Sequence, residues 1–212
     1  MQTTKDYIRK LLLETAQKAF FEKGFKSVSM REISKLSGIG LSNIYNYFSC
    51  KDDIFVQIVT PAVRTFENML DEHHGRRGTD IMAMCDRDYF KYMVDEYTSF
   101  IHRHRDLLLL LLFRSQGSSL ENYKEEFARK STALVKEYFT LMKHKHPQLE
   151  TDISDFSIRM HTVWMFALFE ELLMRRVKPD EIEKVVTEYM TIEVAGWREL
   201  CLLYTSDAAD DL

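Results

Sequence analysis

SVSMREISKLSGIGLSNIYNYFSCKDDIF, running from Ser27 to Phe55, holds several helix signals in a short span. Ser29-Met30-Arg31-Glu32 has the form of a capping box, with the Ser29 hydroxyl on a free amide at Glu32 and Glu32 reaching back. Ile33 and Leu36 would then face inward. Ser37-Gly38-Ile39-Gly40 stops this helix, Gly38 being suited to a left-handed turn. A short helix from Leu41 to Tyr47 follows, with Ile44 and Phe48 on the same core. Ser34 is small where two helices must cross closely, Ile39 is an apolar plug, and Ile44 locks the next helix. This is helix-turn-helix spacing over about 29–48. It stands a short helix proud of its support, shaped to enter a major groove about 12 Å wide. Leu41, Ser42, Asn43, Tyr45, Asn46 and Tyr47 are left to face outward or flank that groove.

Working outward, a first helix is expected from Thr4 to Lys23. Tyr7, Ile8, Leu11, Leu12, Ala16, Ala19 and Phe20 recur on one face, Gly24 serves as a left-handed cap, and Phe25 packs back. Lys51-Asp52-Asp53 opens a fourth helix that continues through Phe55, Ile58, Val59, Val63, Phe66 and Leu70. His73–Gly78 reads as a break. Asp86 or Asp88 caps a helix to about His104, and Asp106 opens a short apolar one. Gly117-Ser118-Ser119 precedes a long helix that ends before Pro147. Thr151–Arg176 and Pro179–Leu200 complete the set, the last with Pro in a favoured first-turn position. The chain holds seven Gly and three Pro, too few for a many-stranded sheet. The expected class is all-α: a three-helix helix-turn-helix DNA-binding domain at 1–52, then a larger helical domain at 53–200.

Of the 212 residues 45% are hydrophobic and 29% charged, which excludes a disordered chain. The most apolar run, Leu107–Phe113, is far shorter than the roughly 20 residues of a membrane span. Lys5, Asp6, Arg9 and Lys10 interrupt the start as no secretory leader would. Cys50, Cys85 and Cys201 make no metal or disulfide pattern, which fits a reducing cytoplasm. Residues 1–52 hold nine Lys or Arg against five Asp or Glu, so this head carries +4 while the whole chain carries -4. A basic head on an acidic body suggests that the head alone approaches a polyanion. CLLYTSDAADD, Cys201–Asp211, looks like one reading frame of a transposase-type sequencing adapter, so 201–212 is expected to be an artefact tail.

The quoted run, with FFEKGF (Phe20–Phe25) ahead of it, resembles the signature of the TetR family of bacterial transcription regulators over about residues 5–60. The features are a capped helix, Gly-hydrophobic, a short recognition helix, and Tyr45-x-x-Phe48-x-x-Lys51 leading into the next helix. The resemblance implies that Ser29 and Arg31 meet phosphates or a base edge. It places Tyr45 and Tyr47 on phosphate oxygens, and Lys51 on a phosphate with help from the helix dipole. Gly40, Leu41, Ser42 and Asn43 take the leading end of the recognition helix, where Asn43 or Asn46 can pair bidentately with adenine. Gly40 stands where the family often has Ser, so the third helix loses a cap. Leu41 stands where a polar residue is common, available to a thymine methyl or to packing.

The resemblance implies that 53–200 is a ligand-binding and dimerisation domain, since the family pairs through its last two helices. Phe156, Met160, Val163, Ala167, Val186, Tyr189, Met190 and Trp197 are the residues expected to meet a second copy. Large adaptable side chains in the middle helices (Tyr92, Met93, Tyr97, Phe100, Phe113, Phe127 and Tyr138, with Trp164) are expected to line a pocket for an unknown apolar or aromatic inducer. No cofactor is expected. The seven histidines read as solvated rather than metal-bound, since His102 and His104, and His144 and His146, point to different sides of a helix. An enzyme built on Glu170, Glu171 and His161 is a poor alternative, because adjacent glutamates point about 100° apart. An adaptor that kept the fold and lost DNA is the other. The reading is of a bacterial homodimeric repressor on a palindromic operator. Its recognition helices lie about 34 Å apart, and inducer releases it by shifting the fourth helix; activation is the alternative output.

Overall fold

The computed structural model describes residues 2–75 and 78–203. Arg76 and Arg77 of the expected break, and Tyr204–Leu212 of the suspected tail, lie outside the described residues. Among the described residues the secondary structure is helical, with eight α-helices and no strand. They are α1 (Gln2–Lys23), α2 (Met30–Ser37), α3 (Leu41–Ile44), α4 (Lys51–His74), α5 (Arg87–Phe113), α6 (Tyr123–Lys145), α7 (Asp155–Met174) and α8 (Pro179–Arg198).

The chain divides into two compact units. The first, Met1–Arg64 with His104–Tyr123, contains α1–α3, the start of α4 and the end of α5. It therefore takes in more than the 52 residues expected of the head. The added segment is bonded to the rest of the unit: Phe25 N–H donates to the Arg114 carbonyl at 2.9 Å, and Ser119 N–H to Asp52 Oδ1 at 2.8 Å. Phe20, Phe25 and Phe55 meet at ring separations of 5.2 to 5.6 Å and are buried with Leu12, Ile33, Ile44, Phe48 and Leu108. Each such side chain contributes about 1.5–3 kcal/mol by leaving water. Tyr7, assigned to the buried face of the first helix, is exposed. Gly24 has positive φ but an extended ψ (77°, 157°) rather than the left-handed helical cap expected, a conformation that a Cβ would strain.

The second unit is Thr65–Arg103 with Lys124–Leu212. Phe66 lies at the centre of its aromatic core, 4.6–5.4 Å from the rings of Phe100, Phe127, Phe166 and Phe169. Ser154 caps α7 through the Ser157 amide at 3.2 Å, so this helix starts later than the Thr151 expected. Asp86 accepts from the Asp88 amide ahead of α5. The break expected between two helices near His104–Asp106 is a kink inside α5, where His104 leaves helical geometry (φ -115°, ψ 16°). Asp106 stands at the start of the helical segment beyond the kink, as expected, and the apolar run of that segment is buried through Leu108, Leu110 and Leu111. Among the described residues no helix is long and apolar enough to cross a membrane.

Candidate functional site

α2 begins as its sequence requires. The Ser29 hydroxyl accepts from the Glu32 amide at 3.1 Å. Glu32 is held below the ordinary carboxylate range first by its hydrogen bond to Lys23, with the Ser29 amide helping against partial burial. Gly38 ends α2 in the left-handed conformation (φ 71°, ψ 6°). Ser34 then clasps the turn, donating from Oγ to the Ile39 carbonyl at 2.7 Å. Leu36, expected inward, is 57% exposed. Ile33 already fills the inner face of this two-turn helix, and Leu36 falls to its side.

α3 is shorter than the Leu41–Tyr47 expected, spanning Leu41–Ile44. Gly40 supplies no side-chain cap. After Ile44 the backbone tightens, with Asn46 N–H on the Asn43 carbonyl (3.1 Å) and Tyr47 N–H on the Ile44 carbonyl (2.9 Å). Such three-residue closures take up the carbonyls that a short helix leaves free. Beneath the turn Ile44 and Phe48 are sealed in the core. Above it Gly40, Ser42, Asn43 and Asn46 are exposed and Tyr45 is 51% exposed, while Leu41 and Tyr47 are half-buried. Ser29 and Arg31 are also exposed. Asn46 Nδ2 donates to Asn43 Oδ1 at 3.3 Å, so the two amides capable of reading a base already orient one another.

Lys51 behaves differently from the expectation of a cation held out to phosphate. Its Nζ donates to the carbonyls of Phe25 (2.7 Å) and Val28 (2.8 Å) and lies 4.0 Å from the Phe25 ring centre. Burial pushes its pKa down, against the pull of Asp52. Two of its three donors tie the segment ahead of α2 to the start of α4. The family resemblance implies a cation at this position, and the carbonyls turned toward it are invisible in sequence. Arg9 was missed entirely: its guanidinium bonds Gln57 and lies 5.6 Å from the Phe48 ring centre, bracing the same turn.

The second unit holds a cavity of about 110 Å³. Met93, Tyr97 and Tyr138 line it as expected. Tyr92, Phe100, Phe113, Phe127 and Trp164 do not. Phe100 and Phe127 are spent in the Phe66 cluster, Phe113 belongs to the other unit, Tyr92 is turned outward onto Glu96, and Trp164 is exposed against Tyr189. The lining that was missed mixes apolar residues, among them Ile81, Val135 and Ile158, with the polar His73, His74, His161 and Glu193, and adds Trp197. His73 is buried, not solvated, its ring nitrogens meeting the Tyr89 hydroxyl and Glu96 (2.6 Å). Burial, with His73 and His161 nearby, lowers His74 to about 3 and keeps it neutral. Tyr97 is raised by burial first and then by Glu96. Among the described residues no group of three or more His, Cys, Asp and Glu is arranged to hold a metal ion.

α7 exposes Phe156 (71%), Met160, Val163, Trp164, Ala167 and Met174 along one face. Of the residues expected beside them on α8, Val186, Tyr189 and Met190 are buried inward, and Trp197 turns to the cavity. The exposed apolar positions of α8 are instead Ile192 and Ala195, with Leu200 just beyond it. Ile192 and Ala195 lie on the side of α8 away from its buried stripe of Ile182, Val186 and Met190.

Residues 12–58 match the sequence model of the family described as bacterial regulatory proteins, tetR family. An HTH-type transcriptional regulator of Bacillus subtilis, YhgD, is 34% identical over 64 residues, covering 30% of this chain and 34% of its own length. An HTH-type transcriptional regulator of Haemophilus influenzae is 25% identical over 145 residues, 67% of this chain and 66% of its own. The chain thus spans between a third and two thirds of the curated relatives it matches. NalD, the secondary repressor of the MexAB-OprM multidrug efflux pump in Pseudomonas aeruginosa, has the same fold. Its TM-score is 0.58 at 19% identity, over 89% of this chain and 96% of that one. The family and these relatives are regulators rather than enzymes, and Glu170 and Glu171, the carboxylates of the enzyme alternative, are paired to Lys124 and Arg175. Over residues 12–58 the chain thus carries the helix-turn-helix segment shared with bacterial regulatory proteins of the tetR family.

Proposed function

We propose that the protein is a dimeric repressor of a near-palindromic operator, released from DNA when a small molecule fills the cavity of the second unit. The observation that carries the DNA reading is the division of the α3 turn. Its apolar residues are sealed beneath, and Ser42, Asn43, Tyr45 and Asn46 are left at the surface with Arg31 and Ser29 beside them. Asn43 and Asn46 face base edges and Tyr45 and Tyr47 take phosphates. Lys51 holds the support in register and offers its remaining donor to the backbone.

The exposed α7 face, Phe156 to Met174, supports pairing with a second copy, joined by Ile192 and Leu200. Stable association buries about 800 Å² on each partner. The cavity supports ligand release, because His73 and His74 in its lining end the same helix, α4, that Lys51 begins in the head. A ligand that prefers one position of α4 changes the spacing of two recognition turns, about 34 Å apart on DNA. The relative NalD is a repressor, which favours that output over activation. Such a protein works in the cytoplasm, on the nucleoid.

The test is gel retardation with fragments selected from genomic DNA. The wild type retards a selected fragment, and Tyr45→Ala weakens it at least 10-fold with the melting temperature unchanged. Equal retardation by wild type and variant overturns the reading of the turn.

A further inference from the structure

The cavity wall is aromatic, yet it contains a carboxylate removed from water. Glu193, on α8, is 7% exposed. A buried carboxylate is costly unless paired. Glu193 contacts the His161 ring, and the Trp197 indole N–H lies 3.2 Å from both the carboxylate and His161 Nδ1. One imidazole and one shared indole proton leave much of the accepting capacity of two oxygens unused.

The other polar groups of the wall divide unevenly. The Tyr138 hydroxyl donates to the Thr79 carbonyl at 2.8 Å, Tyr97 to Met165 Sδ at 3.6 Å, and Tyr89 meets His73. The Tyr189 hydroxyl, in a residue 6% exposed, makes no hydrogen bond of full geometry and is turned toward Glu193. Burial, then Tyr97 and Glu193, push its pKa up, so it stays neutral with its oxygen available as an acceptor. His74 is neutral as well. Arg198, also in the lining, is exposed and hydrated. The acidic group of the cavity wall, Glu193, is thus met by one imidazole and one indole N–H, and it sits among rings whose faces attract cations.

We propose that the cavity receives a small organic cation, a one-ring ammonium compound, with its charge on Glu193 and a second N–H on the Tyr189 hydroxyl. This rests on the reading of the cavity as the ligand site. At about 110 Å³, against roughly 150 Å³ for an apolar cavity that holds benzene, the space limits the ligand to one ring. A neutral ligand of the same shape leaves Glu193 as it was, and an anion meets it directly.

Benzylammonium, benzyl alcohol and benzoate share one ring and differ in charge. Binding is read at pH 7 from the fluorescence of Trp197, which lines the cavity, and from the rise in melting temperature. The wild type is expected to bind benzylammonium at least 10-fold more tightly than benzyl alcohol, and benzoate most weakly. Glu193→Gln removes that preference; Tyr189→Phe, which keeps the ring, reduces benzylammonium affinity several-fold and serves should the first variant fold poorly. Benzyl alcohol or benzoate binding as well as benzylammonium overturns the cation while leaving the cavity as a ligand site. Unchanged benzylammonium affinity in a folded Glu193→Gln does the same. Failure of all three probes, together with failure of a larger apolar dye to bind, overturns both.

Discussion

The first unit and the second are made of similar helices and similar aromatic residues, but they keep their working side chains in opposite places. The first seals Phe20, Phe25, Phe55, Ile44 and Phe48 beneath a short turn and leaves asparagine, serine and tyrosine on the outside. The second turns an aromatic shell inward and keeps its polar groups, His74, Glu193 and Tyr189, on the wall of an internal space. An exterior site is what remains after the core is filled, so filling the core locates it. An interior site requires knowing which side chains from several distant helices converge, and that depends on packing rather than spacing.

The largest expected effect falls on the core that supports the exterior site. Phe55→Ala leaves the Phe20 and Phe25 rings without their common partner and costs about 3–5 kcal/mol. In chemical denaturation it lowers the midpoint, and operator binding is lost with it. A change below 1 kcal/mol would mean that the turn does not depend on this packing.

Next comes the exposed face of α7. Phe156→Asp with Val163→Asp leaves the isolated chain folded, shifts sedimentation from dimer to monomer, and weakens operator binding at least 100-fold. A dimer that survives both changes removes that face from the interface.

Lys51→Met is the next smaller. It forfeits two hydrogen bonds to carbonyls and a ring contact, costing about 1–3 kcal/mol in unfolding free energy, with roughly 10-fold weaker DNA binding. Weaker DNA binding with no loss of stability would return Lys51 to a purely phosphate-facing role.

The smallest effect appears only on acidification. His74 titrates near 3 in the folded protein against about 6.5 unfolded. The unfolded chain therefore binds the extra proton between those values, and this contribution to stability, complete above 6.5, drains away as pH falls toward 3. Asp80, lowered to about 2 by Lys145, the Met82 amide and His146 despite burial, loses its contribution in a lower window, below about 3.9. His74→Gln should thus flatten the melting-temperature profile between pH 6.5 and 4 relative to wild type. Parallel profiles would show that His74 is solvated.

How far the sequence could be read follows the same division. The Ser29 cap, the Gly38 turn and the burial of Ile44 and Phe48 are consequences of spacing within one short segment. Helix type was legible throughout, since period and caps are local. What stayed hidden is what depends on distance along the chain. Residues 104–123 join the first unit, Lys51 finds two carbonyls some 25 residues away, and Glu193 meets His161 across two helices. Large aromatics were a poor guide to the cavity because Phe100 and Phe127 serve the core equally well. The polar residues that the core has no use for, His73, His74 and Glu193, were the better signal.

The central claim is that the exposed edge of the α3 turn meets the phosphates and bases of duplex DNA. Its most direct measurement is the affinity of the protein for a genomically selected DNA fragment as a function of salt, by fluorescence anisotropy. The prediction is a steep linear fall of log K with log salt, its slope lessened by roughly 1 for each phosphate contact removed by substitution. A protein that binds no duplex at low ionic strength, or whose affinity is indifferent to salt, would contradict it.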